Sequence, residues 1–221
     1  MQILIAGGGG LVGQDLAFLL SRKNKIISLH RSKIKNKIKN KNIKWKMMDL
    51  KKKIYLKEKP DIIINCVAAH KFSKKNKISD YIYSNTIVVK NLIDFAVKKN
   101  VRKIINLSTI SVYENNNCKI LDEESKINYN DILAITKYSG EKLLENQPVD
   151  YINLRLPTIL SSNLNVKRSW ISLLISDIKK NKKVEIFNSN AQFNNVIDTE
   201  EIARFIEKVK DKKENIRDTF N

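Results

Sequence analysis

The chain has 221 residues, a formal net charge of +19 at pH 7 and a hydrophobic fraction of 42%. This length predicts one domain, or one domain with a small appendage, and the hydrophobic fraction is ample for a core. No apolar run reaches membrane-spanning length and no basic leader precedes the first one, so we expect a cytoplasmic protein with no membrane partner. Cys66 and Cys118 lack the spacing of metal ligands, so we expect no metal site.

The positive charge makes nucleic acid a candidate partner. The 42 Lys and Arg residues are, however, spread along the whole chain and mixed with Asn and Ile. We therefore do not expect nucleic acid to be the main partner. A positive field would also attract a small molecule that carries phosphate.

The beginning of the chain places a glycine run between a strand and a helix. Residues 3–6 are an apolar run that predicts a buried strand, and apolar residues from position 11 onward recur at helical spacing. Glycines three residues apart let a backbone turn tightly and approach a pyrophosphate at a helix N-terminus. We therefore predict a dinucleotide site, with a plain structural loop as the alternative. Its expected cofactor contacts are Gly7, Gly10, Leu11, Val12 and Gly13.

The second predicted strand, residues 26–29, ends in Leu29-His30-Arg31-Ser32 and has no acidic residue there. In a typical NAD site, Asp or Glu at this point accepts hydrogen bonds from the adenosine ribose. Arg31 suits the 2′-phosphate of NADP instead, by its charge and its paired donors. We therefore expect NADP or NAD as cofactor, with a preference for NADP. The alternative is that Arg31 is one more exposed cation in a basic protein.

Strands and helices alternate along the rest of the chain, which predicts an α/β fold with a parallel sheet. The predicted strands are at 43–48, from 62, at 103–107, 149–154 and 184–187, and the predicted helices are at 51–59, 79–99, 131–146 and 168–180. Ligand chemistry in such sheets gathers at the carboxyl ends of the strands. The strand at 103–107 delivers Ser108 and Thr109 to that edge.

Several short motifs resemble those of the extended short-chain dehydrogenase/reductases, in particular the NAD-dependent epimerase/dehydratase family that modifies nucleotide sugars. The motifs are the glycine turn, Asn65-x-x-Ala68-Ala69, Ser108-Thr109-x-x-Val112-Tyr113, and Lys137 with Glu141. The resemblance implies a Rossmann-type, doubly wound parallel sheet with a small C-terminal substrate lobe. Residues 1–157 would form the NAD(P)-binding domain and residues 158–221 a reduced substrate-binding lobe packed on it.

The resemblance also implies roles for single residues. Thr109 would orient the sugar oxygen during hydride transfer, and Lys137 would hold the nicotinamide ribose. The other implied cofactor contacts are Asp49 and Leu50 at the adenine, Ala68 and Ala69 where the cofactor lies against the backbone, and Lys71 near the phosphates. An Asp that follows a strand is also a common helix cap, and Lys71 is one lysine among many.

One position departs from the family pattern. The active helix of the family carries Tyr four residues before the lysine, on the same helix face, where the ammonium lowers the pKa of the phenol. Here that position is Leu133. Leucine cannot transfer a proton, and general acid–base help is typically worth about 10²–10⁴-fold in rate. His70 is a candidate replacement, with an ordinary loop residue as the alternative.

We therefore expect an NAD(P)-dependent epimerase, dehydratase or 4-ketoreductase that acts on a nucleotide sugar by hydride transfer at a sugar carbon. The alternative is a catalytically silent relative that keeps the cofactor site and serves as a partner subunit or sensor, and Leu133 favours this alternative. The resemblance also implies a homodimer that forms through the helices at 79–99 and 131–146.

Overall fold

A computed structural model of the chain describes residues 1–34, 38–69, 76–114, 120–161, 170–185, 196–212 and 216–221. Two predicted site residues, His70 and Lys71, lie outside these ranges, and so does part of the strand predicted at 184–187.

The described residues contain nine strands, seven of which form one parallel sheet in the order β3-β2-β1-β4-β5-β6-β9. The strands are β1 (Gln2–Ala6), β2 (Lys25–His30), β3 (Ile43–Met47), β4 (Ile62–Asn65), β5 (Lys103–Thr109), β6 (Asp150–Leu156), β7 (Thr158–Leu160), β8 (Val196–Asp198) and β9 (Arg217–Phe220). The strand order reverses at β1, which is the mark of a doubly wound sheet. The predicted Rossmann-type fold is therefore confirmed.

Helices connect several of these strands. They are α1 (Leu11–Leu20), α2 (Ile78–Ile82), α3 (Val88–Lys99), α4 (Ile132–Glu145), α5 (Trp170–Ile178) and α6 (Thr199–Val209). The start of α4 is fixed by Asp131, whose carboxylate accepts hydrogen bonds from the N–H groups of Leu133 and Ala134. No helix in the ranges given above is long and apolar enough to cross a membrane.

Two apolar clusters cover the two faces of the sheet. The first contains Leu92 and Phe95 of α3 together with Ile63 of β4. The second contains Leu16 of α1 and Ile206 of α6 together with the strand residues that alternate with those of the first. Side chains of a strand point alternately to its two faces, so a central parallel strand must be apolar at nearly every position, as β1 and β4 are.

The prediction of a helix over 51–59 is wrong. Ile54 and Leu56 are buried whereas Tyr55 between them is 72% exposed, and this period of two fits an extended chain. Glu58 then forms ion pairs with Lys44 (2.9 Å) and Lys46 (2.7 Å) of β3. The segment therefore follows the edge of the sheet instead of coiling.

The helix predicted at 79–99 is present but contains a π-helical segment, Tyr83–Ile87, between α2 and α3. A π segment places one extra residue in a turn and rotates the helix face that follows. Buried Asn85 lies in this segment. The apolar periodicity predicted the helix but gave no sign of the wider turn.

The chain after Leu156 forms a separate two-stranded sheet and also adds a helix and a strand to the main fold. β7 and β8 pair with each other, whereas α6 packs on α1 and β9 pairs with β6 of the central sheet. Asp15 of α1 connects these parts, because its carboxylate accepts hydrogen bonds from Ser161 Oγ (2.5 Å) and Thr199 Oγ1 (3.0 Å). A domain boundary at residue 157 stays a prediction.

Candidate cofactor and catalytic site

The turn between β1 and α1 is packed so closely that it requires glycine. Gly7 has a left-handed backbone with φ of 83°, and a Cβ on Gly13 would lie only 2.4 Å from the carbonyl oxygen of Gly7. Gly10 is the N-cap of α1 and provides no side-chain hydrogen bond. The first N–H groups of α1, around Leu11 and Val12, therefore have no capping side chain and suit an anion such as a pyrophosphate.

The end of β2 lies against this turn. Ser28 Oγ and His30 Nε2 of β2 are buried atoms without a hydrogen-bond partner among the described residues. A Cβ on Gly8 would come within 1.8 Å of Ser28 Oγ, and one on Gly9 within 3.1 Å of His30 Cβ. Nδ1 of His30 lies 2.9 Å from the carbonyl oxygen of Ser32. When Nδ1 donates to that carbonyl, Nε2 becomes an acceptor for an incoming hydroxyl.

His30 ends β2 and thus stands where a typical NAD site has its acidic residue. It was not among the predicted contacts. Its place as the last residue of an apolar strand is the signal that would have found it. Arg31, which was predicted, follows it with an exposed side chain.

The ends of β3 and β4 lie at the same carboxyl edge of the sheet. Asp49 is half-buried and its Oδ1 accepts a hydrogen bond from the N–H of Lys51 at 3.1 Å, so it heads a turn and caps no helix. Leu50 beside it is buried. Ala68 and Ala69 follow β4, the first half-buried and the second buried. Their small side chains leave the backbone after β4 accessible to a flat ligand.

The two adjacent hydroxyls at the end of β5 have different partners. Ser108 is buried, and its Oγ donates a short hydrogen bond to Glu141 Oε1. Thr109 is half-buried, and its Oγ1 accepts a hydrogen bond from the N–H of Ser111 at 3.1 Å. The hydroxyl proton of Thr109 has no acceptor among the described residues. Thr109 therefore keeps a donor for a ligand, whereas Ser108 belongs to the interior.

Lys137 of α4 reaches the same strand end. Its Nζ donates to the carbonyl oxygen of Leu107 at 2.8 Å, and only 6% of the residue is exposed. Burial lowers the pKa of Lys137 from 10.5 to about 8, although the nearby charge of Glu141 acts in the opposite direction. Lys137 and Thr109 are thus brought together at the end of β5, whereas Arg31 and Asp49 lie at the ends of β2 and β3.

A buried polar network supports this arrangement from behind. Arg155 of β6 pairs with Glu141 (2.8 Å) and donates from Nη1 to the hydroxyl of Tyr113 (2.8 Å), which donates to Asn221 Oδ1 (2.6 Å). Burial lowers the pKa of Arg155, but its hydrogen bonds and charge interaction with Glu141 outweigh burial and raise the pKa above its usual value. The network joins α4, β6 and the loop after β5 and leaves the Tyr113 phenol fully engaged.

Asn85 connects the helices α2 and α3 to this site. Its Oδ1 accepts a hydrogen bond from the N–H of Ala69 (3.0 Å), and its Nδ2 donates to Thr136 Oγ1 on α4 (3.0 Å). The π segment turns Asn85 inward and so holds the loop after β4 against α4. Leu133, on the same helix as Thr136, packs in a small apolar cluster with Ala69 and Tyr81.

A model of the NAD dependent epimerase/dehydratase family matches residues 3–221. The chain belongs to this family. The membership implied by the short motifs is therefore confirmed, although the family's tyrosine position holds Leu133.

Two curated members related to this chain are enzymes. The dTDP-D-glucose 4,6-dehydratase of Dictyostelium discoideum is 25% identical over an alignment 235 residues long that covers 91% of this chain and 54% of that protein. The GDP-6-deoxy-D-talose 4-dehydrogenase of Aggregatibacter actinomycetemcomitans is 25% identical over an alignment 197 residues long that covers 85% of this chain and 63% of that protein. The chain therefore spans less than two thirds of the length of these family members.

Solved structures share the fold. The enzyme WbmG of Bordetella bronchiseptica in complex with NAD has a TM-score of 0.81 at 19% identity, with 100% of this chain and 72% of that chain covered. The UDP-N-acetylglucosamine 4-epimerase of Methanobrevibacter ruminantium in complex with UDP-N-acetylmuramic acid has a TM-score of 0.80 at 20% identity, with 99% and 75% covered.

The carboxyl edge of this family member fits the dinucleotide that its family depends on. The glycine turn folds back so tightly that a Cβ at position 13 would lie 2.4 Å from the Gly7 carbonyl oxygen, and α1 begins there without a capping side chain. The unpartnered Nε2 of His30 lies beside the turn. On the other side of β1, the edge continues through Ala69 to Thr109 and Lys137.

Proposed function

We propose that the protein modifies a nucleotide sugar by NAD(P)-dependent hydride transfer at a sugar carbon, as an epimerase, dehydratase or 4-ketoreductase. The observation that carries the proposal is that the free hydroxyl donor of Thr109 and the buried ammonium of Lys137, which donates to the carbonyl of Leu107, both lie at the end of β5. The names of the two curated relatives, which act on a dTDP-sugar and a GDP-sugar, support it.

Each part of the carboxyl edge has a task in this proposal. The N–H groups at the start of α1 bind the pyrophosphate, which the positive end of the helix dipole favours. The Lys137 ammonium donates to the nicotinamide ribose, and the Thr109 hydroxyl donates to the sugar oxygen and stabilises the charge that develops on it. The bound cofactor supplies a nicotinamide that accepts and returns hydride. Residues 158–221 would contribute contacts to the sugar nucleotide.

NADP is the preferred cofactor in this proposal. Arg31 is exposed directly after β2, where its guanidinium can bind a 2′-phosphate through two donors. His30, the last residue of β2, is not an acid that would repel this phosphate. NAD remains the alternative because the ring nitrogen of His30 can accept a hydrogen bond from a 2′-hydroxyl.

We also propose a homodimer that forms through α2, α3 and α4. Several apolar side chains of these helices and of the π segment between α2 and α3 are exposed: Ile78 (66%), Ile82 (42%), Tyr83 (45%) and Ile135 (37%). Light scattering of the purified protein tests the dimer. Ile82→Glu should lower the mass to that of a monomer, whereas Ile120→Glu, at a residue that is 81% exposed outside these helices, should not. A monomeric wild-type protein would contradict this part of the proposal.

The experiment for the activity loads the protein with NADPH, NADP, NADH or NAD in turn and adds UDP-, dTDP-, GDP- and CDP-sugars and their 4-keto forms. Sugar signals are followed by NMR. We expect one sugar class to change, with the change lost in Thr109→Ala and kept in Ser139→Ala, whose hydroxyl only bonds its own helix. Cofactor binding without any change of a sugar would contradict the activity and indicate a silent binding protein.

A further inference from the structure

The ring of Tyr81 lies next to the position from which the phenol of the family is missing. Tyr81 belongs to α2 and packs with Leu133 of α4 and with Ala69 after β4 in one apolar cluster. Only 8% of Tyr81 is exposed. A tyrosine ring thus touches both the side chain that replaces the family tyrosine and the loop that borders the cofactor edge.

The hydroxyl of Tyr81 makes no hydrogen bond among the residues that the structure describes. The hydroxyl of a buried tyrosine usually has a partner, and that of Tyr113 bonds both Arg155 and Asn221. Tyr129 on the loop before α4 and Tyr138 on α4 pack edge to face on each other, and Tyr129 is 64% exposed. The ring of Tyr81 is therefore buried at this site, whereas its hydroxyl oxygen is not enclosed by protein atoms and is open to an incoming group.

The position of Tyr81 is fixed by the residue one helical turn further along. Asn85 lies four residues after Tyr81, so the two side chains are near the same helix face. The side chain of Asn85 bonds the N–H of Ala69 and the hydroxyl of Thr136, which holds α2 against the loop after β4 and against α4. The hydrogen bonds of Asn85 therefore fix the packing of Tyr81 against Ala69 and Leu133.

We propose that the Tyr81 phenol performs the proton transfer that Leu133 cannot perform. This inference rests on the proposed function. Oxidation of a secondary alcohol of the sugar breaks one C–H and one O–H bond. The hydride passes to the nicotinamide, the electron pair of the O–H bond forms the second C–O bond of the ketone, and the proton passes to the Tyr81 phenolate. Reduction of the ketone returns the hydride to carbon and the proton from the Tyr81 phenol to oxygen.

Lys137 and Thr109 complete this assignment. Lys137 follows Leu133 by one helical turn and lies on the same face of α4. Thr109 donates to the same sugar oxygen and holds it while the proton moves. In this chain α2 therefore provides the phenol, whereas Lys137 and Thr109 remain at the family's lysine and hydroxyl positions.

The first test is a binding measurement that needs no turnover. The protein is labelled with tyrosine carrying ¹³C at Cζ, and the Tyr81 signal is assigned by Tyr81→Phe. Addition of NAD should shift the Tyr81 signal. The signal of Tyr151, which is equally buried at 8% exposure but lies on β6 under Arg217, should stay in place.

The second test is turnover of the sugar class identified above. Tyr81→Phe should lower the rate by about 10²–10⁴-fold and leave the NAD dissociation constant within about twofold, whereas Tyr151→Phe should turn over like the wild type. Leu133→Tyr added to Tyr81→Phe should restore part of the rate, because it returns a phenol to the face of Lys137.

The outcomes separate the two proposals. If NAD binds but the Tyr81 signal does not move, or if Tyr81→Phe turns over like the wild type, the assignment of Tyr81 is wrong and the proposed function stands. If NAD and NADP do not bind, the proposed function is wrong, and the assignment of Tyr81 falls with it.

Discussion

The Glu141 carboxylate and the Arg155 guanidinium form an ion pair inside the protein. Glu141 Oε2 lies 2.8 Å from Arg155 Nη2, and the exposed fractions of the two side chains are 0% and 5%. Glu141 also accepts a hydrogen bond from Ser108 Oγ, and Arg155 Nη1 donates to the hydroxyl of Tyr113 and to the carbonyl oxygen of Glu123. The pair connects the helix that carries Lys137 to β6.

Removal of one partner of this pair should be strongly destabilising, since it leaves an uncompensated buried charge. We expect Arg155→Met to lower the free energy of unfolding by about 3–5 kcal/mol, measured by urea denaturation. The double variant Arg155→Met with Glu141→Leu should recover most of this loss. Lys142→Met, which breaks the exposed Lys142–Glu145 pair, should cost less than about 1 kcal/mol. Equal effects of the two single variants would contradict a special role of the buried pair.

The buried ammonium of Lys137 should make stability depend on pH. Burial lowers its pKa from 10.5 to about 8, so between these pH values the unfolded chain binds a proton that the folded protein has released. The free energy of unfolding then rises with pH, by about 1.4 kcal/mol per pH unit for this one group. We expect the stability of the wild type relative to Lys137→Met to increase by about 2–3 kcal/mol from pH 7.5 to pH 10. A constant difference over this range would show that the pKa of Lys137 is the same in the folded protein and in the unfolded chain.

Most of the sheet and the row of site residues along its edge were predictable, because strand patterns, the glycine spacing and Ser108-Thr109 are local signals. The extended conformation of residues 51–59 was not, since the burial of Ile54 and Leu56 and the ion pairs of Glu58 with β3 depend on residues that are distant in sequence. The π segment around Asn85 was missed for the same reason: its amide bonds groups on two other elements.

The sequence also did not show which hydroxyl or phenol remains free. Ser108 and Thr109 are adjacent and chemically alike, and only the position of Glu141 decides that Ser108 is engaged. The contact of Tyr81 with Leu133 joins residues on different helices. The four-residue spacing of Tyr81 and Asn85 was the available signal, but it acquires meaning only when Asn85 is seen to bond the edge of the site.

Arg31 should decide between NADP and NAD. A guanidinium that binds a phosphate forms strong, charge-assisted hydrogen bonds, so we expect Arg31→Ser to raise the NADPH dissociation constant at least about tenfold, the equivalent of about 1.4 kcal/mol. The NADH constant should change less than about twofold. Lys33→Ser, at another exposed cation of the same loop, should affect both cofactors weakly. Fluorescence titration measures both constants, and equal losses for NADPH and NADH would contradict recognition of the 2′-phosphate.

A row of three buried amides and one threonine hydroxyl crosses four neighbouring strands of the sheet. Asn65 Nδ2 donates to Asn106 Oδ1 (2.9 Å), Asn106 Nδ2 donates to Asn153 Oδ1 (2.9 Å), and Asn153 Nδ2 donates to Thr219 Oγ1 (3.2 Å). The partners are directly paired in the strand registers. Each amide in the row therefore depends on its neighbours for partners that water cannot provide.

The middle of this row should be the most sensitive to substitution. Asn106→Ala removes two hydrogen bonds and leaves a buried donor on Asn65 and a buried acceptor on Asn153, so we expect a loss of about 2–5 kcal/mol in the free energy of unfolding. Thr219→Val removes one acceptor at the end of the row and should cost about 1 kcal/mol. Urea denaturation of both variants measures the two losses in the free energy of unfolding. Similar losses at the two positions would mean that the amides act as separate pairs, because only a connected row makes its interior member depend on both sides.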